Sequence, residues 1–176
     1  MTRTSKLAFG AAGIALLLAS GCTHRSHHVD RQLLLPLGAA TYTTTSTQRF
    51  LMATALDDPM PAFPTDGLAE PPLRLCASFT VDVDGAVRDI VIEPALAGCD
   101  RGDTPGIAPF AHAVDAALTR WSFIAAAICT FPDAAAADGD PDCRGDDAVA
   151  VAVPVRLTYA FVFDAHTVRG RAIRRD

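Results

Sequence analysis

The strongest constraint on this chain lies near its C-terminus, where Val149, Val151, Val153, Val155, Leu157, Tyr159, Phe161 and Phe163 alternate with mostly smaller or polar residues. Successive side chains of a strand point to opposite faces, so a period of two specifies one long strand with a single bulky face. A chain that contains such a strand must build a sheet around it. Pro154 interrupts the run and cannot donate a ladder hydrogen bond, so part of the strand is expected at an edge or bulge. Unpaired backbone on a long strand is a template for another chain. The stretch carrying Tyr159, Phe161 and Phe163 is therefore expected to be the surface where a partner, or a second copy, pairs.

Upstream, Ala77, Phe79, Val81 and Val83 alternate with Ser78, Thr80 and Asp82, Asp84-Gly85 supplies a turn, and Val87 to Ile92 returns as a second strand. Its register stays open between a two-residue turn and a bulged three-residue turn. Phe110, Val114, Ala117, Leu118 and Trp121 make one apolar stripe on a helix starting near Pro109, since proline is tolerated in a first helical turn. Trp121 to Phe131 stays apolar and is expected to turn into a third strand, before an Asp/Gly/Pro loop from Asp133 to Asp147. The expected fold class is α+β, a small three-stranded antiparallel sheet with one helix packed on it.

The N-terminus reads as a leader. Arg3 and Lys6 precede an apolar run from Leu7 to Leu18, and Leu18-Ala19-Ser20-Gly21-Cys22 has the form of a lipoprotein cleavage site. The run is too short to span a bilayer, which takes about twenty apolar residues. Residues 1–21 are read as a signal peptide, with Cys22 as the acylated first residue of the mature chain; the alternative is a plain signal peptide cut nearby. Thr23, in place of an acidic residue after the anchor, favours the outer membrane over the inner. Residues 22–58 read as a flexible tether, though the Thr41 to Thr47 stretch has strand propensity. Prolines 59, 61, 64, 71 and 72 mark a boundary, residues 59–166 the folded domain and residues 167–176 a basic tail.

The formal net charge is −5 and grows more negative once Arg3 and Lys6 leave with the leader, so no nucleic-acid partner is expected. Half of the residues are apolar, but many are alanine, and so thin a core invites covalent support. With Cys22 lipidated, Cys76, Cys99, Cys129 and Cys143 form an even set in an oxidising compartment. Three pairings are possible on paper. The strand reading puts Cys76 and Cys99 near the open end of one hairpin and lets Cys129 and Cys143 bracket a polar loop, which favours those two pairs.

The order of hairpin, helix, Arg-x-Trp-x-Phe and long strand resembles the C-terminal domain of the TonB family. The likeness is carried by Pro61-Ala62-Phe63-Pro64, by Phe79 to Val87, by Ala116-Ala117-Leu118 with Arg120-Trp121-Ser122-Phe123, and by Val153 to Phe163. It implies a periplasmic domain that binds an extended peptide of an outer-membrane receptor or another envelope protein by strand addition, in connection with TonB-dependent transport. The chain departs from the family in having a cleavable lipoprotein signal instead of an inner-membrane helix, a short lysine-free linker, Ala125 where the family has proline, and an insertion between Cys129 and Cys143.

No nucleophile elbow, phosphate-binding loop or His-Glu-x-x-His occurs. No catalytic residue, cofactor or resident metal is expected, and the chain is read as a binding protein, not an enzyme. His24, His27 and His28 could bind metal at the membrane-proximal end but read more simply as solvated tether residues; Asp138, Asp140 and Asp142 resemble the start of a calcium loop but lack its glycine and bidentate glutamate. Asp82 and Asp84 read as turn formers, Arg120 and Trp121 as a core tryptophan with its neighbour or, alternatively, a partner site, and Arg169, Arg171, Arg174 and Arg175 as a disordered basic end or, alternatively, one that touches anionic head groups. The alternative function is an envelope structural or assembly lipoprotein that self-associates through its C-terminal strand.

Overall fold

The computed structural model describes residues 23–34, 42–65, 72–92, 96–100 and 103–169. The leader, Cys22, Arg171, Arg174 and Arg175 lie outside the described residues. In chain order the elements are β1 (Thr23–Leu34), β2 (Gln48–Leu51), β3 (Thr54–Asp57), β4 (Leu73–Val81), β5 (Val87–Ile92), α1 (Ala108–Leu118), β6 (Ser122–Ile124), β7 (Ala126–Thr130), α2 (Ala134–Gly139), β8 (Val149–Val153) and β9 (Val155–Arg169).

They form a four-stranded sheet in the order β1-β9-β4-β5, a three-stranded sheet in the order β2-β7-β8, and a two-stranded sheet of β3 and β6. All ladders are antiparallel. This overturns the expected single three-stranded sheet with one helix. Two causes account for it. The segment read as a tether contributes β1, β2 and β3, so each sheet gains a strand from residues that carry little apolar patterning. The two long apolar runs are also each divided between sheets. Ala126 pairs with Val153, and immediately outside that pair the chain leaves at Ala125 and Pro154, so β7 and β8 swing away together as one hairpin. Pro154, with no N–H to donate, is where a ladder most readily ends.

β9 is the spine of the large sheet. Its odd-numbered residues Val155, Leu157, Phe161 and Phe163 and those of β4, Leu73, Leu75, Ala77, Phe79 and Val81, are buried on one face. α1 covers that face with Phe110, Val114 and Leu118, and Phe110 meets Phe163 edge-on at 5.1 Å between ring centroids. Burying one such phenylalanine is worth about 1.5–3 kcal/mol, so this aromatic layer supplies much of the drive to fold. The other face holds a buried pair, Ser78 and Thr158, whose hydroxyls share a 2.8 Å hydrogen bond. A satellite core of Cys129, Phe131 and Ala137 lies between α2 and the β7–β8 hairpin.

The β4–β5 connection is the longer of the two anticipated turns. Asp82 N–H donates to Ala86 O and Gly85 N–H to Asp82 O, both at 2.9 Å, which leaves Val83-Asp84-Gly85 as the loop, with Gly85 at φ +79°. Asp82 and Asp84 do serve the turn: their carboxylates accept from Val83 N–H and Ala86 N–H, and both pair with Arg88. The Ala86 N–H holds the Asp84 carboxyl below its ordinary range, with Arg88 adding to the effect. Gly85 also touches β6, accepting from Phe123 N–H at 2.9 Å; a Cβ there would lie 1.9 Å from Phe123 O. The turn is thereby locked onto the chain that follows α1.

Candidate partner-binding edge

Strand addition requires a sheet edge whose backbone is unpaired. The stretch expected to provide it does not. Tyr159 pairs with both Leu33 and Ala77, Phe161 with Arg31 and Leu75, and Phe163 with Val29 and Leu73. Phe161 and Phe163 are fully buried, and Tyr159 stacks on Phe79 at 5.8 Å. Burial raises the Tyr159 phenol above its ordinary value, with Arg31 acting in the opposite direction. The C-terminal strand is interior because β1 already occupies its outer side.

β1 is held there by more than its ladder. Arg31 lies 5.0 Å from the Trp121 ring centroid, forms an ion pair with Asp58 and donates to Asp58 O at 2.8 Å. Trp121 Nε1 donates to Pro59 O at 2.9 Å, so Trp121 is a core residue that anchors the start of the proline-rich segment, while Arg120 is exposed beside it. His27 stacks on Phe63 at 4.2 Å, and Phe63 contacts Phe110 and Phe163 edge-on. Arg74 reaches Gln32 at 3.1 Å. Histidines read as solvated tether residues thus belong to a sheet.

Among the described residues the sheets end in several strands, and their chemistry differs. β5 carries Arg88 and Asp89, with a register shift between Ser78 and Thr80 and Asp89 at φ +51°. Charge and a bulge both blunt an edge. β1 carries Asp30 and Arg31, and β2 is only four residues long. β8 differs from all of these: Val149-Ala150-Val151-Ala152-Val153 has no charge, pairs regularly with β7 on one side, and exposes Val149 to 64% and Val151 to 57%. β6, the other uncharged edge, is three residues long and already donates from Phe123 N–H to Gly85 O, so β8 is the longer uncharged edge where another chain's strand fits most readily.

Several links tie the surroundings of β8 together. Cys129 on β7 is bonded to Cys143, and Cys76 on β4 to Cys99, the two pairs that the strand reading favoured. Asp133 caps α2 by accepting from Ala136 N–H at 2.8 Å, and Asp138 on α2 forms an ion pair with Arg49 on β2. Tyr42 donates to Pro154 O at 2.6 Å and stacks on Phe50. Asp140 accepts from the N–H groups of Arg144 and Gly145, which hold its carboxyl below the ordinary range. Asp138 and Asp140 thus serve local structure. With Asp142, Asp146 and Asp147 they make the connection into β8 acidic, with Arg144 its one basic residue. Among the described residues, no three His, Cys, Asp or Glu side chains already converge as a ligand set.

Comparison with known proteins finds no matching family model, no matching characterised protein and no matching solved structure. None of these comparisons identifies a TonB C-terminal domain, and the single three-stranded sheet that the likeness implied is not the one formed. The structure places Phe63 against the aromatic core, Trp121 and Phe123 in the core, and Phe79 to Val87 across the β4–β5 hairpin.

Proposed function

We propose that this chain is an envelope lipoprotein, acylated at Cys22, that binds an extended segment of an envelope protein by strand addition at β8, in connection with TonB-dependent outer-membrane transport. The observation that carries the reading is the uncharged edge of β8, with Val149 and Val151 exposed on a hairpin fixed by the Cys129–Cys143 bond. Main-chain hydrogen bonds supply affinity in such a mode, and pockets for alternate side chains supply selectivity. The acidic connection from Asp138 to Asp147 favours a segment bearing lysine or arginine beside its apolar residues. The motif resemblance and the leader add the compartment.

The test is photo-crosslinking in the intact envelope from a reactive residue at Val151, with Arg88 on β5 as the control position. A discrete adduct with another protein from Val151, absent from Arg88, supports the reading. With the reactive residue kept at position 151, Val149→Lys should weaken that adduct and leave the melting curve of the purified protein in place, because the Val149 side chain is exposed. An adduct of twice the chain's own mass from Val151 favours the alternative, self-association of an assembly lipoprotein. Equal adducts from both positions would exclude β8 as the docking edge.

A further inference from the structure

We propose that the segment taken up at β8 is an amphipathic strand in which large apolar residues alternate with lysine or arginine, the apolar ones on the valine side of the edge and the basic ones on the side covered by α2. It rests on strand addition at β8 and adds the partner's side-chain pattern. The register divides the β2-β7-β8 sheet into two faces of opposite chemistry, because paired residues share a face. Phe50, Ile128 and Val151 form one row across the three strands, and Val149 and Val153 flank Val151 on the same side. Tyr42 stacks on Phe50 at 5.3 Å, so the row begins in an aromatic pair and ends at the open edge in an exposed valine. A strand added outside β8 extends this row by one residue. A bulky apolar side chain there covers Val149 and Val151, and cross-strand pairs of that kind stabilise a sheet.

The other face carries Arg49, Cys129, Ala150 and Ala152. α2 and the Cys143 loop lie over it: Ala137 and Phe131 share a core with the fully buried Cys129, and Cys143 is bonded to it. Asp138, Asp142, Asp146 and Asp147 are exposed along this covering segment, and Asp138 pairs with Arg49. The alanines of β8 bring neither bulk nor charge to this side, so the side chains that an added strand presents here meet the carboxylates directly. Lysine and arginine complement them, whereas aspartate and glutamate are repelled. A one-residue slip exchanges the two faces, so alternation also sets the register: a shifted strand puts charges on the valines and apolar groups among the carboxylates. A second copy fits poorly. Paired antiparallel through β8, like the ladders of this fold, it adds alanines and another acidic segment to the same face, and like charges meet.

The test uses the full mature protein in micelles of a neutral detergent, with protein-free micelles as blank, and follows the fluorescence anisotropy of short labelled peptides. A peptide alternating valine with lysine should bind at least about tenfold tighter than one with the same residues in two blocks, and than one alternating valine with glutamate. Asp142→Asn with Asp146→Asn and Asp147→Asn should weaken it by about tenfold at low salt and reduce the loss seen on adding salt. Val151→Lys should weaken it by about the same factor with the melting curve unchanged, since that side chain is exposed. A photo-reactive group at a valine of the peptide should mark Tyr42, Phe50 or Ile128, and one at a lysine should mark residues 138–147. Equal affinity of the alternating and block peptides, tighter binding of the glutamate peptide, exchanged marks, or no peptide binding while Val151 still gives its envelope adduct would overturn the pattern and leave strand addition at β8 in place. No peptide binding together with no envelope adduct from Val151 would remove strand addition at β8 itself, and the pattern with it.

Discussion

Gly85 shows how one residue joins two parts of this fold. It takes a positive φ that side chains disfavour by about 1–2 kcal/mol, and any Cβ would collide with Phe123 O. Gly85→Ala should therefore destabilise the protein by about 3 kcal/mol, once the loss of the Phe123 N–H bond is included, as measured by urea unfolding. A change below about 1 kcal/mol would mean that the turn can move off β6 at little cost. The turn carboxylates make a second prediction. Asp84 and Asp140 titrate lower in the folded chain than their ordinary 3.8, because backbone N–H groups favour the charged form. Their contribution is present above that value and lost as the pH falls through the lower folded one. The urea midpoint should drop as the pH goes below 3.8, and Asp84→Asn with Asp140→Asn should flatten that drop while lowering the midpoint at neutral pH.

At the level of elements, the β7–β8 hairpin depends on its disulfide. Closing a loop of this span contributes about 3 kcal/mol by chain entropy, so Cys129→Ala with Cys143→Ala should lower stability by that order and weaken amide protection in β8 before β4 or β9. Uniform loss of protection would show that the hairpin does not open separately. The elements differ in how plainly the sequence announces them. β4, β5 and α1 were legible because Phe79, Val81, Phe110, Val114 and Leu118 repeat at the periods of two and 3.6 that burial on one face requires. β1 was not: only Val29, Leu33 and Leu34 are apolar along its described side chains, and an edge strand docked by backbone bonds, an Arg31–Trp121 contact and a His27–Phe63 stack has no such period. Ala125 hid a change of sheet because both flanks are apolar. Pro154 did mark a break, yet the unpaired edge lies before it, on β8, and not after it at Tyr159–Phe163. The even cysteine set carried its pairing because β4, β5 and the β7–β8 hairpin were largely in place already.

For the whole molecule, the decisive relation is between the leader and the large sheet. Cys22→Ser should abolish acyl labelling and release the protein from the membrane fraction or leave its leader uncleaved; unchanged labelling would remove the lipoprotein reading. If Cys22 carries the lipid, the residue that follows it, Thr23, is already paired with Arg169, so no slack separates the bilayer from the folded body. β1 is 12 residues long, or about 40 Å at 3.3 Å per residue. A lipoprotein on a loose leash samples a hemisphere and meets partners at any angle. This one would stand like a post stepped into the deck, free to tilt and spin about its foot but unable to wander, so that a partner has to arrive at a set height above the lipid.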